Sequence, residues 1–205
     1  GAISILQAIF YMVLLCIIGC LILIQFNLFA IGLGAASLLL VAVYPFMKRI
    51  TYWPQLVLGL TFNWGALLGW AVVRGDLAAP ALIMYAAGIF WTLGYDTIYA
   101  HQDKQDDLII GVKSSALRLG DNTRPWLAIF YATAIVLVGL SGWLIQLNWP
   151  FYAALVLALI QASWQVVNVA INDPSDCLRK FKSNRYFGWL ILAGLVLGHI
   201  LFLYI

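Results

Sequence analysis

The chain is 205 residues long, 64% hydrophobic and only 9% charged, with a formal charge of +3. Soluble domains carry roughly 25% charged residues, so this composition excludes an ordinary soluble globular domain and predicts an integral membrane protein. No nucleic-acid partner is expected. Cys16, Cys20 and Cys177 are too few and too far apart for a disulfide framework or a zinc site. Cys16 and Cys20 stand one helical turn apart and are expected to be small packing residues.

A membrane-spanning helix needs ~20 apolar residues. Seven segments qualify in chain order: Ile3–Ile24, Leu28–Phe46, Pro54–Val73, Pro80–Tyr99, Pro125–Leu147, Pro150–Ile171 and Tyr186–Tyr204. Four begin at a proline, which suits a first helical turn because the missing N–H has no partner there. Gly65-x-x-x-Gly69 and Gly194-x-x-x-Gly198 predict places where helix backbones approach closely. Asn63, Gln161 and His199 are polar groups in apolar spans and predict interhelical hydrogen bonds. The fold class is an all-α, polytopic transmembrane helix bundle, one domain over residues 1–205.

Basic residues fall in alternate joints. Lys48 and Arg49 follow the second span. Lys104, Lys113, Arg118 and Arg124 follow the fourth, and Arg179, Lys180, Lys182 and Arg185 follow the sixth. Only Arg74 lies elsewhere. Positive charge is retained on the cytoplasmic side of a membrane, so these three joints are predicted to face the cytoplasm, or the matrix of a mitochondrion.

The segment "YDTIYAHQDKQDD", Tyr95 to Asp107, breaks the apolar pattern. The chain has eight acidic residues, all Asp, and four of them stand here. If the fourth helix runs on through it, Asp96, Asp103 and Asp107 fall within ~40° of one another around the axis, at ~100° per residue. Like charges one turn apart destabilise a helix, so a positive partner is expected. Mg²⁺ suits such a place, because it binds through one or two carboxylates and completes its shell with water and phosphate. The same carboxylates would also serve as a solvated acidic loop paired with Lys104, Lys113 and Arg118. Asp96 follows a long apolar run, and an ionisable residue at membrane depth points to function. "YPFMKRITYWPQ", Tyr44 to Gln55, adds Lys48 and Arg49 on the same predicted face. They read either as topology-setting charge or, with the carboxylates, as a clamp for a diphosphate.

In these segments the sequence resembles the UbiA superfamily of intramembrane prenyltransferases. The resemblance rests on "YPFMKRITYWPQ", on "GYDTIYAHQDKQDDLIIGVKSSALRLG" and, more loosely, on "DPSDCLRKFKSNRYFG", and covers nearly the whole chain. It implies a nine-helix bundle that transfers a polyprenyl group from polyprenyl diphosphate to an aromatic ring carbon with Mg²⁺ as cofactor. The acceptor it implies is 4-hydroxybenzoate or a related aromatic acid, in ubiquinone biosynthesis. Asp103 and Asp107 would bind Mg²⁺ and diphosphate, and Lys48 and Arg49 would contact the diphosphate. Lys113 in "GVKSS" is a further candidate for that contact. Asp96 would orient the phenol or a basic partner. Trp91, Tyr95, Tyr99 and Tyr44 would offer aromatic faces to an allylic cation, or serve as ordinary interfacial aromatics. The implied setting is membrane lipid of a bacterial or mitochondrial inner membrane, with the site on the cytoplasmic or matrix side. The family's first aspartate motif, NDxxDxxxD, is absent. With seven spans in place of nine, the resemblance implies that the chain is N-terminally incomplete, lacking two helices and half of the metal site.

Two other classes fit less of the sequence. A transporter would place ionisable groups near the membrane midplane, whereas here they cluster at the predicted inner surface. Another Mg²⁺-dependent intramembrane enzyme acting on diphosphate-linked isoprenoids would carry a DG-x-x-AR core, which the sequence lacks.

Overall fold

In the computed structural model, which describes residues 3–200, each helix starts and stops where side-chain chemistry permits. The first helix, α1 (Ile5–Leu23), opens on a capping box. Ser4 Oγ accepts the Gln7 N–H at 3.2 Å and Gln7 Oε1 accepts the Ser4 N–H at 2.8 Å, satisfying two backbone donors that a helix start leaves free. Helix α2 (Leu28–Val43) is capped by Asn27, whose Oδ1 accepts the Ala30 N–H at 2.9 Å. The Asn27 Nδ2 donates to Ala71 O at 2.8 Å, so one side chain caps a helix and ties it to another. Pro54, Pro80 and Pro150 sit in the first turns of α4 (Pro54–Phe62), α6 (Ala79–Gln102) and α10 (Trp149–Asn168), as the sequence predicts. Pro125 is the third residue of α9 (Thr123–Leu144).

Short helices complete the chain: α3 (Met47–Ile50), α7 (Lys104–Ile110) and α8 (Ser115–Leu119). The remaining long ones are α5 (Trp64–Arg74) and α11 (Pro174–Ile200). Among the described residues there is no strand. Six stretches are long and apolar enough to cross a membrane: Ile5–Leu23, Leu28–Ile50, Pro54–Arg74, Ala79–Gln102, Ser115–Leu144 and Trp149–Asn168. They correspond to the first six predicted spans. The seventh, Tyr186–Tyr204, lies on α11, and residues 201–204 fall outside the described residues. Many Leu, Ile, Val, Phe and Trp side chains are exposed along these helices, as a lipid-facing surface requires.

The core lies among α6, α9, α10 and α11. Ile98, Leu127, Tyr131, Ala158, Cys177 and Phe187 are buried together there. Helix α6 is the centre, packing along α9 and also touching α4 and α11. A Cβ on Gly94 of α6 would stand 2.7 Å from a ring carbon of Tyr131, so only glycine permits that approach.

Several expectations change. The third span is broken at Asn63, between α4 and α5. The Asn63 Nδ2 donates to Gly59 O of its own helix and to Thr92 Oγ1 of α6, each at 2.8 Å. The predicted interhelical bond thus exists, and the same side chain engages the carbonyl ladder where the helix breaks. Gln161 also makes its predicted bridge, donating to Ser183 O of α11 at 3.2 Å. Of the two glycine pairs, Gly194 and Gly198 pack closely, with added Cβ atoms 2.8 Å from Ala154 and Phe151 side chains of α10. Gly65 and Gly69 have nothing within 4 Å. Their face of α5 meets no other helix among the described residues, so the motif there brings no backbones together. Cys16 and Cys20 are exposed, not packing residues, because α1 buries none of its side chains.

Candidate active site

The acidic segment does not form one straight helix. Helix α6 ends at Gln102, Asp103 takes a non-helical conformation (φ −97°, ψ 7°), and α7 starts at Lys104. The single stripe expected for Asp96, Asp103 and Asp107 is therefore interrupted at its middle member. Like charges one turn apart disfavour a continuous helix, and the interruption falls among them. The Asp107 N–H still donates to Asp103 O at 2.8 Å, which keeps the two residues one turn apart. Gly111, with φ of 77°, closes α7.

The carboxylates end in different settings. Asp107 is buried at 5% exposure. Its Oδ1 accepts from Lys48 Nζ at 3.4 Å, while its Oδ2 is buried without a partner. Asp103 is half-buried and Asp106 is exposed. Asp96, half-buried on α6, is close enough to Lys48, Asp103, Tyr44 and Tyr95 to interact with them electrostatically.

The basic residues converge from two joints. Lys48 and Arg49 sit on α3, exposed at the surface. Arg49 forms no ion pair among the described residues. The Lys113 N–H donates to Lys48 O at 2.7 Å, joining the loop after α7 to α3. The Lys113 ammonium donates to Ile50 O at 3.0 Å and lies 5.4 Å from the centre of the Tyr52 ring. Lys113 is thus brought to the cluster while its charge caps the end of α3. The third basic joint meets the same end of the bundle, with Phe181 of α11 against Tyr99 at 4.7 Å between ring centres.

An apolar groove runs along α6 and α11. One part, of about 290 Å³, is bordered by Phe62, Trp91, Tyr95 and Phe181. The other, of about 240 Å³, runs on past Met84, Val138, Ile191 and Leu195. Trp91 and Gly188 border both. Trp91 stacks on Phe187 at 5.1 Å and meets Tyr95 edge-on at 5.2 Å.

Several polar residues that hold this arrangement carry no role in the sequence reading. Asn184 Oδ1 accepts from Trp91 Nε1 at 3.0 Å, from Gln165 Nε2 at 3.2 Å and from Tyr131 Oη at 3.4 Å. This buried network joins α6, α9, α10 and α11. Gln161 is singled out in the sequence; Gln165, one turn on in the same apolar helix, is the signal that could have completed it. At the other side of the cluster Gln55 Oε1 accepts the Ser115 N–H at 3.3 Å, and Ser115 Oγ shares a hydrogen with Thr97 Oγ1 at 2.8 Å. These contacts lock "WPQ" and "KSS" against α6. The Ser114 Oγ is buried without a partner.

Comparison with known proteins places this geometry. A model of the UbiA prenyltransferase family matches residues 1–192. The chain is 50% identical over 200 residues to the mitochondrial 4-hydroxybenzoate polyprenyltransferase of Arabidopsis thaliana, covering 97% of this chain and 49% of that protein. It is 51% identical over 175 residues to the mitochondrial 4-hydroxybenzoate polyprenyltransferase of Homo sapiens, covering 85% of this chain and 47% of that one. The chain spans about half the length of the curated relatives it matches. Among solved structures, a UbiA homologue from Aeropyrum pernix in its apo form superposes with a TM-score of 0.81 at 22% identity, over 96% of this chain and 74% of that one. A digeranylgeranylglyceryl phosphate synthase superposes with a TM-score of 0.71 at 15% identity, over 97% and 71%. At these identities the two structures speak for the helical fold alone. A match over nearly all of the sequence, carried through the paired-aspartate segment that the fold sets beside Lys48, means that the chain belongs to the UbiA prenyltransferase family.

Proposed function

We propose that this chain forms part of an aromatic prenyltransferase site that moves a polyprenyl group from its diphosphate to 4-hydroxybenzoate or a related aromatic acid, for ubiquinone synthesis. The names of the relatives at 50% and 51% identity support the donor and acceptor. The observation that carries the reading is the buried Asp107, with one carboxylate oxygen on Lys48 and the other buried without a partner. An isolated buried acceptor is costly, and a cation beside Asp107 Oδ2 would satisfy it.

Among the described residues no group of three or more His, Cys, Asp or Glu side chains is gathered for a metal. Mg²⁺ needs only one or two carboxylates with water and substrate phosphate, and Asp103 and Asp107 fit that demand. Bound there, Mg²⁺ would supply neutralisation of the leaving diphosphate. Lys48 and Arg49 hold diphosphate oxygens from the α3 side, and Lys113 keeps α3 in place. The bond between the allylic carbon and the diphosphate oxygen breaks, and its electron pair leaves with the diphosphate. A carbon of the acceptor ring takes up the allylic group and then loses its proton to the released diphosphate. Trp91 and Tyr95 face the cation and exclude water. Asp96 orients the phenol or its basic neighbour. The site opens on the cytoplasmic or matrix side of an inner membrane, where positive joints are retained.

The test uses the intact protein in lipid, supplied with Mg²⁺, a polyprenyl diphosphate and labelled 4-hydroxybenzoate. Asp103→Asn and Asp107→Asn are expected to lower turnover by ~100-fold or more, on the scale of losing ~3 kcal/mol of transition-state stabilisation. Asp106→Asn, at an exposed carboxylate, is expected to retain most turnover. Equal rates for all three variants at limiting Mg²⁺ would return the buried pair to the status of structural charge.

A further inference from the structure

One sizeable cavity lies away from the carboxylates of α6 and α7. It is a cleft of about 540 Å³ between the end of α10 and the start of α11. Arg179, Lys182 and Arg185 line it, with the hydroxyl groups of Ser175 and Ser183 and the rings of Trp164 and Tyr186. Asp176 is buried behind Arg179, and both of its oxygens are committed. Oδ2 accepts the Ala170 N–H at 2.8 Å, and Oδ1 accepts from Arg179 at 2.6 Å and from Lys180 at 3.5 Å. Lys180 also lies 4.0 Å from the centre of the Trp164 ring, fixing that ring at the rim. Two carboxylates, Asp176 and the exposed Asp173 bonded to Ser175, therefore stand against four basic residues of α11, and Lys182 and Arg185 form no ion pair among the described residues. The cleft carries a surplus of positive charge.

Its surroundings are graded along the membrane normal. One turn farther into the apolar part of α10 and α11 lie Ile160 and Trp189, at 60% and 67% exposure, and beyond them Leu157 at 52%. A ligand seated here meets cations and hydroxyls at one end and an exposed apolar face at the other. The aromatic rim, Trp164 and Tyr186, sits between the two, where amphipathic rings favour a membrane interface.

We propose that this cleft binds the headgroup of an anionic phospholipid of the inner leaflet, with the acyl chains lying on the exposed face of α10 and α11. The phosphate accepts from Arg179, Lys182 and Arg185. The proposal does not involve Asp103 or Asp107, although Lys182 and Arg185 also border the aromatic groove. It depends only on the basic end of the bundle facing the leaflet that carries anionic lipid. Basic pockets between membrane helices are suited to such headgroups, because the negative surface potential adds to each contact.

The experiment takes the intact protein from detergent into bilayers of phosphatidylcholine with and without phosphatidylglycerol. Retained lipid is counted by native mass spectrometry and the unfolding temperature is measured in both bilayers. Wild type is expected to retain phosphatidylglycerol selectively and to unfold at a higher temperature when it is present. Lys182→Gln, at an exposed side chain, is expected to weaken retention by roughly fivefold, and Arg179→Gln/Lys182→Gln by roughly the square of that, at about fivefold per surface cation. Arg118→Gln, an exposed basic residue of α8 at the same end of the bundle, serves as the control and is expected to leave retention unchanged. If Arg118→Gln lowers retention as much as Lys182→Gln, the lipid is held by general surface charge and the cleft is not its site. Displacement of the bound lipid by inorganic diphosphate at micromolar concentration would overturn the proposal in a second way, showing a site for a free anion.

Discussion

Helices α1 and α6 teach opposite lessons about burial. Helix α1 is the most apolar stretch of the chain, yet none of its residues is buried, and α2 is its neighbour in the bundle. Helix α6 is the least apolar of the six candidate spans and the most central, with ten buried residues. In water the order would be reversed. In lipid the surrounding tails are as apolar as leucine, so apolarity gives a helix no reason to leave the surface. Small and polar residues do, because they allow close approach and need partners. Helix α6 supplies Gly88, Gly94, Thr92, Thr97 and His101; α1 supplies little beyond Gly19 and its cysteines.

The strongest way to break this comparison is to add one methyl group to each helix. Gly94→Ala puts a Cβ 2.7 Å from the buried Tyr131 ring, which is held by bonds to Gln165 and Asn184 and cannot easily yield. Overpacking of this kind costs about 1–3 kcal/mol, seen as a lower unfolding temperature in detergent. Gly19→Ala meets nothing within 4 Å and is expected to be neutral or slightly stabilising. Equal losses at both positions would show that α1 is packed as tightly as α6.

A smaller effect sharpens the polar half of the argument. Asn184→Ala removes the acceptor shared by Trp91, Gln165 and Tyr131. Interhelical hydrogen bonds in membrane proteins contribute modestly, so a total of about 1–2 kcal/mol is expected. The freed Trp91 ring is expected to show a changed fluorescence spectrum. An unchanged spectrum together with unchanged stability would mean that the network does not hold the groove wall.

The smallest effect lies at the head of α11, outside the apolar spans. Burial pushes the Asp176 carboxyl upward, but the Ala170 N–H, Arg179 and Lys180 outweigh it and hold the group below the ordinary carboxylate range. A depressed folded value stabilises the fold above the unfolded value, and that contribution disappears as pH falls through the folded one. Asp176→Asn is therefore expected to lower the unfolding temperature near neutral pH. The gap to wild type should begin to narrow as pH falls below ~4, the ordinary Asp value. A gap that stays constant with pH would assign the loss to packing instead of charge. Just behind Asp176, burial pushes the Cys177 thiol up to about 11, so it is expected to remain unreactive toward thiol reagents at neutral pH.

The limits of legibility are visible in particular residues. Gly65-x-x-x-Gly69 and Gly194-x-x-x-Gly198 read alike in sequence, yet only the second pair meets a neighbour, because spacing within a helix does not say which face finds one. The break at Asn63 lies in an unbroken apolar run. It coincides with a hydrogen bond to Thr92, a residue 29 positions away. The interruption at Asp103 similarly coincides with Asp107 meeting Lys48, 59 positions earlier. Only Gln161 hinted at the Asn184 network, whose members come from four helices that no local pattern joins.

By itself the sequence determined the helical class, the placement of the first six spans, the gathering of basic residues into alternate joints and the family motif of paired aspartates. These are properties of composition and short-range order, where hydropathy over ~20 residues and charge in a joint carry the physics. Only the tertiary structure decided which aspartate is buried, which lysine meets it, and that Lys113 turns its ammonium to a backbone carbonyl. It also decided that α6 takes the centre of the described bundle. Those outcomes depend on distances between residues far apart in the chain, and in lipid they follow from shape and hydrogen-bond partners, to which hydropathy is blind.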